Sequence, residues 1–242
     1  MLSLVGGWPF ECRVIRVFSY VPSTCVACCS FSRLRHAASL TRSNWPDQLI
    51  VPGFVDCHVH YPQVDIVGSY GEQLLEWLQN YVFPAEARYE DAAYADKVAK
   101  IFVEELLKSG TTTALTFCTV HPQSVDALFT AAAERNMLMI AGKVLMDDEQ
   151  FAPDSLREDC HQSYCESKAL IEKWHGKGRC LYAVTPRFAV SSTDEELSLA
   201  GQLVAEHAAQ GVYVHTHLNE NMAEIELGVI SEACVVPCTM RD

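Results

Sequence analysis

The sequence predicts an α/β protein with a parallel β-sheet, and three observations lead to this fold class. Five short apolar segments alternate with stretches that have helical periodicity. The segments are almost continuously apolar, as strands buried on both faces are. Neither of the phosphate-binding patterns GxGxxG and GxxxxGK[ST] follows a segment, which disfavours nucleotide-binding folds. A (β/α) barrel and an open doubly wound sheet both fit this pattern.

The predicted strands are rich in β-branched and aromatic residues and are bounded by turn signals. In chain order they are Leu49–Val55, Thr111–Phe117, Met137–Met146, Cys180–Thr185 and Val212–His217.

Four predicted helices separate these strands. They are Ala92–Lys108, Ser124–Asn136, Ser155–His175 and a helix that runs from Thr193 to Gly211. Gly110 is a C-terminal stop, Pro122 favours a first turn, and Thr193 with Glu196 forms a capping box. The apolar face of the first helix is predicted to contain Val98, Ile101, Phe102 and Leu106.

Charge divides the chain near residue 46. The formal net charge is −13, yet residues 1–46 carry five arginines against one glutamate, a net +4, so the remaining residues carry −17. An acidic chain of this kind argues against nucleic acid as a partner, because phosphate contacts need clustered basic residues. A small neutral substrate is compatible with it.

The cysteine content favours a reducing compartment. Eleven scattered cysteines are an odd number and form no pair of CxxC motifs, which predicts free thiols in a cytoplasmic protein. Apolar runs of about 18 uncharged residues are missing from the sequence, so a membrane span is not expected. The arginine- and serine-rich start leaves an N-terminal targeting segment as the alternative localisation.

Two His-x-His pairs stand out at the ends of the first and fifth predicted strands. His58 and His60 point the same way because side chains alternate along a strand, and His215 and His217 repeat the spacing. Carboxyl ends of parallel strands are where α/β folds build active sites. Imidazole is a good zinc ligand, so the two pairs predict a metal site, whereas one pair alone is more often incidental.

Other polar residues follow the same strand ends. Glu220 is suited to proton transfer, with an N-terminal helix cap as its structural alternative. Arg187, Phe188 and Gln63 would suit a planar hydrogen-bonding heterocycle, although singly each is more often structural. The aromatic and apolar residues from Trp77 to Phe83 are interpreted as packing.

Five segments together resemble the guanine deaminases of the amidohydrolase superfamily, which are zinc enzymes. They are PGFVDCHVHYPQ, YGEQLLEWLQNYVFPAE, SGTTTALTFCTVHPQSVDAL, YAVTPRF and VHTHLNEN, and the resemblance extends from Leu49 to about Glu226. It implies an incomplete TIM-like (β/α)₈ hydrolase barrel of about five βα units. It further implies deamination of guanine to xanthine, with one Zn²⁺ as cofactor, guanine as small-molecule partner and a possible homodimer.

The resemblance also implies roles for individual residues. His58, His60 and His217 match metal ligands, Glu220 matches the proton shuttle, and Gln63, Arg187, Phe188 and His217 match substrate-binding positions, whereas His215 matches no ligand.

The chain departs from the family outside this region. The family continues with another histidine and an aspartate, but no histidine follows His217 here and Asp242 is the only later aspartate. The chain is therefore expected to be truncated, with a divergent and poorly ordered segment at 1–46, a partial barrel at 47–226 and a divergent tail at 227–242. A catalytically inactive fragment or an interaction module is the alternative function.

Overall fold

The computed structural model describes residues 15–18, 49–69 and 73–228. The strands within these ranges are β1 Ile15–Phe18, β2 Leu49–Pro52, β3 Phe54–His60, β4 Thr111–Phe117, β5 Leu138–Gly142, β6 Val144–Leu145, β7 Cys180–Pro186 and β8 Tyr213–Val214. The α-helices are α1 Leu74–Trp77, α2 Phe83–Ala87, α3 Ala92–Lys108, α4 Pro122–Glu134, α5 Cys160–Trp174, α6 Asp194–Glu206 and α7 Met222–Gly228.

The main sheet is parallel and its strands follow the order of the chain. β3 pairs with β4, β4 with β5, β5 and β6 both with β7, and β7 with β8. β5 and β6 are one strand interrupted at Lys143, so the sheet holds five successive βα units. An open doubly wound sheet reverses its strand order at a switch point, and this sheet does not, which leaves the partial TIM-like barrel.

Helices α3 to α6 cover the outside of this half-barrel. Their buried faces pack on the strands in one large core cluster that includes Phe102, Leu128, Met139, Tyr182 and Leu203. α3 begins and ends as predicted: the Asp91 side chain accepts from the Ala93 N–H, and Gly110 follows in the left-handed region at φ 83°. The packing of these helices on the strands holds the carboxyl ends of the strands at one rim of the half-barrel.

The chain makes a long excursion between β3 and α3. It runs through a 3₁₀ turn at Tyr61–Ile66, α1, a π-helical turn at Leu78–Val82 and α2. A second core cluster joins this excursion to the strand ends and includes Val82, Phe83, Phe117, Met146 and Phe188. The excursion is therefore packed onto the rim at which the strands end.

Several element predictions were wrong in detail. The first predicted strand is divided at Gly53 into β2 and β3. The backbone of Gly53 passes so close to Thr112 that a Cβ on Gly53 would lie 1.8 Å from Oγ1 of Thr112. Ile101 is 42% exposed; the buried face of α3 runs instead through Ala95, Val98, Ala99, Phe102 and Val103.

The predicted domain boundaries fall mostly outside the described residues. Within 1–46 only Ile15–Phe18 is described, and it forms a strand parallel to β2, although no strand was predicted there. The tail from residue 229 lies outside the described residues, so both terminal segments stay predictions. In the described part of the chain, no helix combines the length and apolar character needed to cross a membrane.

The start of α6 differs from the predicted capping box. The Thr193 side chain accepts from the Glu196 N–H as expected, but the Thr193 N–H and hydroxyl donate to Asp147, at 2.7 and 2.6 Å. Glu196 is left 1% exposed beside this carboxylate. Burial, reinforced by the charge of Asp147, raises the pKa of Glu196 to about 8.

A glycine pair tests the packing of the sheet. A Cβ on Gly142 would lie 1.7 Å from the Ala183 carbonyl oxygen, whereas a Cβ on Gly201, inside α6, meets nothing within 4 Å. We expect Gly142→Ala to lower the free energy of unfolding by at least about 3 kcal/mol. Gly201→Ala, the matched control, should raise it by roughly 0.5–1 kcal/mol. Urea titration followed by circular dichroism measures both, and equal effects would contradict the packing described.

Glu196 predicts a dependence of stability on pH. Because its folded pKa is raised, the folded state binds a proton more tightly than the unfolded state, and stability is fully present only below the ordinary value of 4.5. Stability should fall as the pH rises towards about 8. Glu196→Gln should remove this loss, on the order of 3–5 kcal/mol, which comparison of urea midpoints at pH 5 and pH 8 measures. Parallel pH profiles of the two proteins would refute the assignment.

Candidate metal centre and cavity

Three histidine side chains meet at the carboxyl rim of the sheet. The Nε2 atom of His217 lies 3.0 Å from Nε2 of His60 and 3.2 Å from Nε2 of His58. β3 contains one extra residue opposite β4 between Asp56 and Val59, and this bulge presents His58 to the cluster. The structure thus brings together the three residues that the sequence predicts as metal ligands.

Hydrogen bonds fix the orientation of two of these rings. The Arg187 carbonyl oxygen accepts from Nδ1 of His217 at 2.8 Å, so the lone pair of His217 is at Nε2. His215 is not part of the cluster, as the family resemblance implies; its Nε2 lies 3.3 Å from Nδ1 of His58. His215 is therefore placed to orient His58 from behind.

The cluster favours neutral imidazoles. Burial, reinforced by His58 and His217, lowers the pKa of His215 to about 3. Burial also lowers the pKa of His217 to about 4, and it lowers the pKa of His60 well below its usual range, with the Arg187 guanidinium acting in the same direction. A neutral ring is the form in which histidine binds a metal.

Phe117, the last residue of β4, is the platform for this cluster. Its fully buried ring stacks on the ring of His60, with 4.5 Å between the ring centroids and an interplanar angle of 5°. It also stacks on the ring of His217, with 4.2 Å between the centroids. It also contacts His215 at 4.0 Å. The prediction of the strand placed Phe117 at the rim, but its role was missed because an aromatic residue at a strand end is usually core.

These three residues fit a divalent transition-metal ion. The donor set is three imidazoles whose Nε2 atoms face one point; outer contacts orient His58 and His217, and burial lowers the pKa values of His60 and His217. A second group of possible ligands, Cys160, His161 and Glu195, lies elsewhere. There the His161 and Glu195 side chains are 66% and 64% exposed and form a surface ion pair. The buried histidine cluster is the better candidate.

A cavity of about 690 Å³ opens beside the histidines. Its volume is in the range that accommodates a small molecule. The predicted residues Gln63, Arg187, Phe188 and Glu220 all line it, together with the three histidines. Trp77 and Leu78 pack in the second core cluster, as predicted, and they line the cavity as well. Their place beside the cavity was not predicted, because they lie in the excursion after β3 and no strand end marks them.

Arg187 supplies the buried charge of the cavity wall. It is 1% exposed, and its Nη1 donates to Oε2 of Glu86 at 2.7 Å, while the guanidinium lies 5.0 Å from the centre of the Phe83 ring. Glu86 belongs to α2 and is fully buried. Sequence reasoning missed it, although an acidic residue inside the apolar segment NYVFPAE was a visible signal.

Glu220 lines the cavity and is exposed. It does not cap helix α7, which was the alternative role predicted for it. Asn221 caps α7 instead, since its Oδ1 accepts from the Glu224 N–H at 2.9 Å. The Glu224 carboxylate in turn accepts from the backbone N–H groups of residues 219, 220 and 221. Burial, reinforced by Glu224, raises the pKa of Glu220. Glu220 can therefore hold a proton closer to neutral pH than an ordinary glutamate.

Comparison with known proteins identifies similar chains. The guanine deaminase of Escherichia coli (strain K12) is 58% identical to this chain over 178 residues, which are 74% of this chain and 40% of that protein. A probable guanine deaminase of Deinococcus radiodurans is 44% identical over 179 residues, again 74% and 40%. The chain thus spans about 40% of the length of the curated relatives it matches.

Solved structures give the same result. The structure of E. coli guanine deaminase matches with a TM-score of 0.69 at 52% identity, covering 75% of this chain and 40% of that one. The guanine deaminase from C. acetobutylicum, solved with guanine bound in the active site, matches with a TM-score of 0.69 at 31% identity, covering 77% and 46%. The profile of the amidohydrolase family matches residues 49–229, three quarters of the chain. The chain belongs to the amidohydrolase family.

Proposed function

We propose that this chain carries the zinc-binding and purine-binding part of a guanine aminohydrolase, which converts guanine and water to xanthine and ammonia. One observation carries the proposal: three histidine Nε2 atoms meet beside a cavity lined by Arg187 and Glu220. Support comes from the relatives, which are named guanine deaminases.

His58, His60 and His217 would hold the zinc ion through their Nε2 atoms. Zinc, when bound, supplies Lewis-acid activation of water at neutral pH. The chain contributes the orientation of the rings: the Arg187 carbonyl fixes His217, His215 backs His58, and Phe117 stacks on His60. Loss of such an outer contact typically lowers metal affinity by a factor of about 10–100.

Recognition of the purine would rest on three side chains of the cavity. The Arg187 guanidinium can donate to the edge of guanine that bears O6 and N7, both acceptors. The carboxamide of Gln63 can both donate and accept, which suits the mixed edge that carries the amino group. The buried ring of Phe188 offers an apolar wall, and His217, which also lines the cavity, would contact the substrate as well as the metal.

Glu220 would move the protons. Overall, a water oxygen adds to the ring carbon that bears the amino group, the bond from this carbon to the amino nitrogen breaks, and ammonia leaves. The leaving nitrogen and the ring nitrogen both need protons during this exchange, and a carboxyl group with a raised pKa can deliver them near neutral pH. Its position at the mouth of the cavity leaves it open to exchange with solvent.

The proposal includes the cellular compartment and the class of partner. A reducing compartment such as the cytoplasm suits the described cysteines, 57, 118, 160, 165 and 180, all of which are free thiols. A small-molecule partner rather than nucleic acid agrees with the net charge of −13. The homodimer stays a prediction.

An interaction module is the second candidate function, and the edges of the sheet favour it. β3 and β8 each pair with one neighbouring strand among the described residues. Val55 on β3 is 62% exposed and Tyr213 on β8 is 46% exposed. Apolar edges of this kind can pair with another polypeptide. If zinc and guanine bind but no xanthine forms, this second function is favoured.

The metal centre predicts which substitutions abolish zinc binding. We expect His217→Ala to lose the tightly bound zinc ion, because two imidazoles remain and Nε2 of His217 lies closest to both partners. His215→Ala should keep the ion with roughly tenfold weaker affinity. His121→Gln, a histidine outside the cavity, is the control. Competition with a chromophoric chelator measures the affinities, and full zinc binding by His217→Ala would contradict the site.

The proposed reaction predicts a separation of turnover from binding. The zinc-loaded chain should release xanthine and ammonia from guanine, and Glu220→Gln should lower kcat by about 100-fold or more while guanine affinity stays nearly unchanged. Glu226→Gln, an exposed glutamate in α7, is the matched control. Xanthine is followed by chromatography. Equal turnover by Glu220→Gln and the unsubstituted chain would rule out the role of Glu220.

A further inference from the structure

The buried ion pair between Glu86 and Arg187 connects the excursion after β3 with the end of β7. The two residues are 101 positions apart, and the distance from Arg187 Nη1 to Glu86 Oε2 is 2.7 Å. The two side chains are 2% and 0% exposed. Only Arg187 reaches the cavity, because Glu86 does not line it.

Stability does not explain why this pair is retained. Replacing a buried ion pair by apolar residues of similar volume is often neutral or stabilising, because both charges lose their hydration. Here the second carboxylate oxygen, Oε1 of Glu86, is buried without a hydrogen-bond partner among the described residues. An unpaired buried oxygen is a further cost. The pair therefore points to a demand on the position of the guanidinium.

The surroundings of Arg187 show what this demand is. The Arg187 guanidinium also contacts the face of the Phe83 ring, whose centre lies 5.0 Å away. This contact limits the position of the guanidinium but not the rotation of its plane. A carboxylate fixes the rotation, since it accepts from one N–H and leaves the others directed elsewhere. It also balances a positive charge that would otherwise stand beside three metal-binding imidazoles.

We propose that Glu86 is a positioning residue, which holds the Arg187 guanidinium at the cavity wall so that its remaining N–H groups face the oxygen-bearing edge of a purine. This inference rests on the proposed function and adds a residue to it. Glu86 touches neither the cavity nor the histidines, so its effect on the ligand passes through Arg187 alone.

A pair of purines isolates this effect. 2-Aminopurine keeps the amino group, the fused ring and N7 of guanine but lacks O6 and the proton on N1, and its fluorescence reports binding directly. Guanine is measured as its competitor on the zinc-loaded full chain with the substitution Glu220→Gln, which is expected to bind guanine without converting it to xanthine. A correctly turned guanidinium should make guanine bind more tightly than 2-aminopurine, so the ratio of the two affinities reports the position of Arg187.

Glu86→Gln should lower the affinity for guanine by roughly tenfold and change the affinity for 2-aminopurine little, because a good pairing of arginine with a purine edge is worth about that much. Arg187→Ala should lower the ratio equally, and adding Glu86→Gln to it should have no further effect. Glu86→Asp keeps the charge on a shorter side chain and should restore part of the ratio, which also decides the matter if Glu86→Gln does not fold.

Glu158→Gln is the matched control. Glu158 forms another ion pair, with the buried Lys143, in which the Glu158 side chain is 17% exposed, and neither residue lines the cavity. This variant should lower the melting temperature and leave the ratio of affinities unchanged. An unchanged ratio in a folded Glu86 variant, or an equal change in Glu158→Gln, would overturn the positioning role alone. Failure of the unsubstituted chain to bind either purine would overturn the proposed function and this inference with it.

Discussion

Arg187 is the residue on which the site depends, because its backbone and its side chain hold different parts together. Its N–H donates to the Leu145 carbonyl, so β7 stays paired with β6 up to the rim. Its carbonyl oxygen accepts from both the backbone N–H and the ring Nδ1 of His217. Its guanidinium binds Glu86 across the cavity wall. His217 of the histidine cluster and the charged side of the cavity are thus fixed by one residue at the end of one strand.

Strands β3 and β8 depart from regular strand geometry next to the histidine residues. A bulge in β3 presents His58, and the His58 N–H donates to Asp56 Oδ1 at 3.0 Å. β8 is regular only over Tyr213–Val214, yet the backbone of His215 and His217 still donates to carbonyl groups of residues 184 and 187. Alternate residues therefore keep the spacing of a strand, so that His217 projects into the cluster and His215 lies against Nδ1 of His58. Departures of this kind are common beside active sites.

Local periodicity was sufficient for a parallel sheet and for the two His-x-His pairs, whereas the barrel and the choice of His58, His60 and His217 as ligands came from the family resemblance. Thr111–Phe117 and Ala92–Lys108 were predicted at their observed bounds, and the spacing of His58 and His60 already implied a shared direction. Glu86 and Phe117 could not be assigned from pattern alone. Their roles come from contacts with residues far along the chain, and an acid or an aromatic ring in an apolar segment has many ordinary explanations. The interrupted strand at Gly53 was missed for the same reason, since the close approach of Thr112 is a tertiary contact.

A metal at this centre would act on the fold as well as on a substrate. Its ligands come from β3 and from the segment that follows β8, the first and last strands of the main sheet, and His60 and His217 are 157 positions apart. An ion that binds the folded chain and not the unfolded one raises stability in proportion to the logarithm of its concentration over its dissociation constant. It would therefore connect the two exposed edges directly, through ligands rather than through strand pairing. Binding of an ion would for this reason favour the arrangement in which His58 and His60, from β3, and His217, from the segment after β8, lie together at the rim.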